Sequence, residues 1–93
     1  MKAKIRAIDD LFHKQVEVEC SIHKDGNPAQ ELLRNARSKA TRERVIKGLQ
    51  LSFGEARLEL ISYGRVIATG TITNNAFGGG GNITAKECIP RAA

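Results

Sequence analysis

"QVEVECSIHKDGNPAQELL", residues 15–33, holds the signals for a strand, a turn and the start of a helix. Apolar residues occupy every second position from Val16 to Ile22, and polar or charged residues lie between them. This period of two predicts a strand with one buried face. Cys20 falls in the apolar register, so we interpret it as a small core residue rather than a reactive thiol.

The second half of the stretch predicts a turn and then a helix. Asp25 and Gly26 favour a turn, Asn27 is a good N-cap residue, and Pro28 suits the first helical position. The apolar positions 32, 33, 36 and 40 then fall on one helical face, whereas positions 45, 46 and 49 lie on roughly the opposite face. We therefore expect a break near residues 38–41, with Thr41 capping a second short helix that ends around Gly48.

The remaining segments predict strands. Residues 2–8 alternate like a strand, although Ile5, Ile8 and Leu11 also fit a helical stripe; we favour a strand that turns at Asp9 and Asp10. The β-branched content of residues 56–64 and 65–73 fits strands, and the two segments suggest a hairpin with its turn at Tyr63 and Gly64. Residues 82–89 form a last candidate strand, which we expect Pro90 to end.

This order of elements predicts one α+β domain over residues 1–93. It consists of an antiparallel sheet of four to five strands, with one or two helices over about 27–48 packed on one face. The glycine-rich run at 78–81 is expected to be a mobile connection. Phe77, just before it, could be buried or held out as an apolar anchor.

The amino-acid composition limits the classes of function that the protein could have. The chain has 93 residues with 15 Lys and Arg against 10 Asp and Glu, a net charge of +5 that favours anionic partners. Acidic residues follow the basic start, where a signal peptide would be apolar, and no apolar run approaches a membrane span. We therefore expect a cytoplasmic protein whose two cysteines, Cys20 and Cys88, are reduced.

The motifs expected for catalysis or cofactor binding are missing from the sequence. The glycine run lacks the Lys-Ser/Thr ending and following helix of a nucleotide loop. His13 and His23 stand apart from any Cys-x-x-Cys pair, which argues against a metal site. Cys20 and His23 would face opposite sides of a strand, so they form no nucleophile–base pair. We predict a binding protein without a cofactor or metal rather than an enzyme.

The most distinctive charged stretch is "RNARSKATRER", residues 34–44, with four arginines and one lysine. Arginine suits bidentate contacts to phosphate, and a helix break here would make the stretch a protruding elbow. The Glu17 and Glu19 row on a strand, with Arg57 and Arg65 nearby in the predicted sheet, suggests further docking patches. The predicted partner-binding residues are Arg34, Arg37, Lys39, Arg42, Arg44 and Lys47.

The chain resembles the small phage-encoded anti-CRISPR inhibitors in type, being a compact α+β domain with no catalytic motif and a charged surface. The resemblance is carried by "KQVEVEC" (14–20) followed by "NPAQELLRNARSKATRERV" (27–45), and type I inhibitors are the nearer match. It implies a protein of the bacterial host cytoplasm that binds subunits of a Cascade-like surveillance complex, and its guide RNA as well, and blocks target DNA binding. A small basic nucleic-acid-binding module and a phage assembly protein are the alternatives.

Overall fold

The computed structural model describes residues 1–50, 54–74 and 86–90. Five described strands form one antiparallel sheet in the order β2-β1-β3-β4-β5. The predicted α+β class is confirmed. The elements are β1 (Lys2–Asp9), β2 (Lys14–Ser21), α1 (Pro28–Ala36), α2 (Lys39–Leu49), β3 (Gly54–Ser62), β4 (Arg65–Asn74) and β5 (Lys86–Pro90).

The first hairpin settles the ambiguity of the N-terminal residues in favour of a strand. β1 pairs with β2 from Lys2 opposite Ser21 to Asp9 opposite Lys14. In β1 the odd positions from Ala3 to Asp9 are buried, and the even positions are half-buried or exposed. The period of two therefore prevails over the helical stripe, because each strand gains a partner and a buried face.

The second hairpin has the predicted turn at Tyr63 and Gly64. Both residues have positive φ, 51° and 74°, and Ser62 lies directly opposite Arg65. Two consecutive positive φ values define the type I′ turn that matches the twist of antiparallel strands. One residue of β4, Ile67, is extra between the pairs Leu60–Ala68 and Ile61–Val66, which makes a β-bulge.

The structure describes the last predicted strand from Lys86 onward. β5 pairs with the outer side of β4 and includes Pro90, the residue expected to end the strand. Residues 82–85, Phe77, the glycine run at 78–81 and the side chain of Cys88 lie outside the described part of the chain.

The N-terminus of α1 forms as the sequence predicted. The Asn27 side chain accepts hydrogen bonds from the backbone N–H groups of Ala29 and Gln30, at 2.9 and 3.3 Å. Pro28 follows as the first helical residue, where its missing N–H costs nothing. α1 ends at Ala36 and is capped by Arg37.

The second helix begins earlier than predicted and ends where it was expected, at Leu49 beside Gly48. Ser38, not Thr41, occupies the N-cap position of α2, and Thr41 is buried within the first turn. Thr41, Val45 and Leu49 are spaced by four residues and form one buried stripe. Because Thr41 belongs to this stripe, it lies inside the helix, and α2 begins at Lys39. The left-handed residue that caps the end of α2 is Gln50, at φ 53°, and Gly48 lies against Val16 of β2.

Both helices cover the same face of the sheet. The break at Arg37 and Ser38 turns the chain, so Ala40, expected on the apolar stripe of α1, is exposed on α2. The opposite face of the sheet carries no described helix. The core between the sheet and the helices is aliphatic, and its largest fully buried side chains are Ile5, Leu32, Val45, Leu49, Leu58, Leu60 and Ile72.

Candidate anion-binding surface

Three of the predicted cations share the solvent side of α2. With about 100° of rotation per residue, Lys47 lies opposite the buried stripe, and Lys39 and Arg44 lie about 80° and about 60° to either side of it. All three are exposed. Glu43 lies between the two lysines on this side but forms no ion pair with either in the described part of the chain. We call Lys39, Arg44 and Lys47 the basic face; with Glu43 among them it retains an excess of positive charge.

The other predicted cations lie elsewhere. Arg37 is exposed at the junction between the helices, next to the start of the basic face. Arg42 is half-buried on the flank of α2 rather than at a protruding elbow. Arg34 points toward β2, where its guanidinium donates to Glu31 at 2.6 Å and to the Ser21 carbonyl at 3.2 Å. The structure thus brings together Lys39, Arg44 and Lys47 beside Arg37, and directs Arg34 to an internal partner.

The N-terminus of α2 is electrostatically unfavourable in the free protein. Its first turn contains no acidic residue, Lys39 is the first helical residue, and the Ser38 side chain makes no capping hydrogen bond. A helix N-terminus carries partial positive charge, so cations there are disfavoured and anions are stabilised. An anionic partner at this end would relieve the repulsion that the free protein tolerates.

Glu31 is the buried charge that holds α1 to the end of β2. Its side chain is only 7% exposed and lies between Arg34, at 2.6 Å, and the His23 ring, at 2.7 Å. The Arg34 guanidinium lowers the pKa of the Glu31 carboxyl to about 2, against burial, and His23 adds to the lowering. His23 is therefore a partner of Glu31 rather than only a solvated strand residue.

This arrangement predicts an acid-sensitive contribution to stability. A carboxyl with a lowered pKa stabilises the fold fully above its ordinary value of 4.5, and this stabilisation disappears as the pH falls toward about 2. In urea unfolding at pH 7, Glu31→Gln should be less stable than wild type, and the difference should shrink between pH 4.5 and 2. Glu43→Gln, which removes an exposed carboxylate, is the matched control and should match wild type throughout; a constant deficit for Glu31→Gln would contradict the assignment.

The open face of the sheet is largely self-neutralised. Arg6 on β1 lies between Glu17 and Glu59 on the neighbouring strands, at 3.3 and 3.4 Å. Arg57 donates two hydrogen bonds of 3.1 Å to Asp10. Of the charges predicted to form docking patches, Glu17 is thus paired across strands with Arg6, and Arg57 is paired with Asp10 in the turn after β1. Each pair contributes little to stability, but together they reduce the net charge of this face.

A groove of about 590 Å³ lies on this open face beside the second hairpin turn. Ile61 and Val66 are among the apolar residues that line it, together with Lys4 of β1 and Glu19 of β2. Because cations and anions line it together, its charge selects neither an anionic nor a cationic ligand. The basic face of α2, rather than this groove, is therefore the candidate anion-binding surface.

The described residues give little support for a reactive thiol or a metal site. Burial raises the pKa of the Cys20 thiol, so Cys20 is protonated at neutral pH and packs against the core, as its register predicted. Within residues 1–50, 54–74 and 86–90, no cluster of three or more His, Cys, Asp or Glu side chains could hold a metal ion.

Comparison with known proteins adds no family. No protein-family model, curated protein or solved structure matches this chain significantly. Neither described helix has the length and apolar character needed to cross a membrane. The functional argument therefore rests on the surfaces of this molecule.

Sequence reasoning missed two features of these surfaces. It did not single out Glu31, although the spacing of Glu31 and Arg34 by three residues is typical of a helical ion pair. It placed a turn at Asp9 and Asp10, as observed, but it did not single out Leu11 and Phe12, which are exposed in that turn between β1 and β2. Their position directly after the two turn-favouring aspartates was the signal that could have indicated this exposure.

Proposed function

We propose that this protein is a non-catalytic binding protein of the anti-CRISPR type, which docks on a guide-RNA-loaded type I surveillance complex in the host cytoplasm. The basic face meets phosphates of the guide RNA, and the bound protein blocks access of target DNA. The observation that carries this proposal is the basic face itself, where Lys39, Arg44 and Lys47 are exposed and form no ion pair with a carboxylate in the described residues.

Two further observations support an anionic partner at this surface. The start of α2 combines a helix N-terminus with Lys39 and the nearby Arg37, an arrangement that a phosphate stabilises. Elsewhere, Arg6, Arg34 and Arg57 are already engaged by carboxylates. On the open sheet face the exposed Lys2 and Lys4 share one groove with Glu17 and Glu19, whereas the basic face carries three cations to one carboxylate. Aromatic side chains for base stacking are few, so the proposal involves phosphate contacts rather than base reading.

The direct test is binding to a purified type I surveillance complex loaded with guide RNA, measured beside free guide RNA and random duplex DNA. The proposal expects the complex to be preferred over free RNA, and target DNA binding by the complex to fall as the protein is added. Equal affinity for free RNA would favour the nucleic-acid-binding module instead. Self-association by light scattering without binding to the complex would favour an assembly protein.

A further inference from the structure

The turn between β1 and β2 presents two large apolar side chains to solvent. Leu11 is 79% exposed and Phe12 is 67% exposed. Single exposed apolar residues are common on protein surfaces and need no explanation. Here two adjacent ones lie at the end of a hairpin, and we call Leu11 and Phe12 the apolar tip.

The apolar tip is held in place by groups that the fold keeps fixed. Asp9 is 6% exposed, and its Oδ1 accepts hydrogen bonds from the backbone N–H groups of Leu11 at 3.1 Å and Phe12 at 3.4 Å. Asp10, the first turn residue, is tied to β3 by its two bonds with Arg57. A loop that is already ordered loses less entropy on binding, so this geometry suits an anchor that enters a preformed pocket.

The apolar tip lies near the C-terminal end of the basic face. The Lys14 ammonium, two residues after Phe12, donates to the Gln50 side chain at 2.8 Å. Gln50 caps α2 three residues after Lys47, and Gly48 lies against Val16 of β2. Lys39 and Lys47 are about 12 Å apart along the helix axis. One partner surface could therefore meet the basic face and the apolar tip together.

We propose that Leu11 and Phe12 are a hydrophobic anchor that inserts into an apolar pocket on a protein subunit of the partner, beside the phosphates that the basic face contacts. This inference rests on the proposed function and names its protein component. A second copy of the chain is a poorer partner for the apolar tip. Two side chains bury too little area for a stable dimer, which needs about 800 Å² per partner. A lipid surface is also a poorer partner, because two side chains bury little apolar area and the cations next to the tip, Arg57 and Lys14, are bonded to Asp10 and Gln50.

The test compares three variants for binding to the purified guide-RNA-loaded type I complex. Leu11→Ser/Phe12→Ser should bind at least about tenfold more weakly, through faster dissociation, with the salt dependence of binding unchanged. Tyr63→Ser is the control, because Tyr63 is 85% exposed at the opposite end of the sheet and should bind like wild type. Lys39→Glu/Lys47→Glu reports on the basic face. Urea midpoints equal to wild type show that the variants are folded.

A crosslinking measurement identifies the molecule that the apolar tip contacts. A photo-crosslinking analogue, p-benzoylphenylalanine, replaces Phe12 or, as control, Tyr63, and is irradiated with the same complex carrying labelled guide RNA. A crosslink from position 12 to a protein subunit supports the anchor. A crosslink to the RNA or to a second copy of the chain, or binding of the free protein to phosphatidylcholine–phosphatidylserine vesicles that the Leu11→Ser/Phe12→Ser variant loses, overturns it.

The two proposals fail differently. If Lys39→Glu/Lys47→Glu loses affinity and the apolar-tip variant binds like wild type, the anchor is wrong and the proposed function stands. If the wild-type protein does not bind the complex at all, the proposed function is wrong and the anchor falls with it.

Discussion

Replacing Lys39 and Lys47 by glutamate should weaken binding to the guide-RNA-loaded complex by about a hundredfold or more. Each lost charge-assisted phosphate contact is worth roughly 1.5–3 kcal/mol, or about tenfold to a hundredfold in affinity. The new carboxylates also repel phosphate and place negative charge beside Glu43. The fold should survive, because both lysines are exposed and outside the buried stripe of α2.

Salt dependence is the more specific measurement for this variant. Each phosphate contact contributes about −0.7 to −0.9 to the slope of log affinity against log salt, so losing two should make the slope shallower by about 1.4–1.8. The measurement is a binding titration at several salt concentrations, with circular dichroism to confirm folding.

Lys2→Glu/Lys4→Glu is the matched control for this charge reversal. Like the test variant it exchanges two exposed lysines for glutamates, and each pair lowers the net charge from +5 to +1, since two residues each change by two units. Lys2 and Lys4 lie on β1, away from α2. Equal losses for the two variants would show that overall charge, not the basic face, governs binding.

Leu60→Ala should produce the largest loss of stability. Leu60 is fully buried on β3, the central strand of the sheet, among the aliphatic side chains beneath the helices. Removing three buried carbon atoms and leaving a cavity costs about 2–5 kcal/mol. A domain of this size has about 5–14 kcal/mol in total, so the melting temperature should fall by at least about 8 °C.

The neighbouring residue supplies the control for Leu60→Ala. Ile61→Ala removes the same number of carbon atoms from the same strand, but Ile61 is half-exposed on the open face. It should cost less than half as much in urea or thermal unfolding. Equal losses would mean that the open face is packed as tightly as the core, contrary to the two-layer arrangement.

Local patterns accounted for most of the elements. The alternation in β1 and β2, the Asn27–Pro28 helix start and the two-residue turn at Tyr63 all depend on contacts within a few residues. For such features the chain carries the information locally, through periodicity, capping and turn preferences. The helix break was predicted because a single straight helix could not bury both apolar stripes.

Placement of the charged side chains could not be predicted in the same way. The pairing of Arg34 with Glu31 has a local signal in their spacing, but the bond of Arg34 to the Ser21 carbonyl of β2 joins residues 13 apart in the chain. Whether an arginine meets an internal carboxylate or solvent depends on how α1 is rotated against the strand. That rotation is set by packing of residues distant in sequence, and a one-residue change in helix start moves each side chain by about 100°.

The sequence by itself determined the α+β class, the strand and helix segments, and the excess of positive charge. Only the tertiary structure decided that Lys39, Arg44 and Lys47 share the solvent side of α2, that Glu31 is buried between His23 and Arg34, and that the apolar tip lies beside the end of α2. The physical reason is the distance along the chain over which each effect acts. Periodicity and capping act between neighbours in the chain, whereas surface charge and exposed apolar area depend on which faces the packed layers cover.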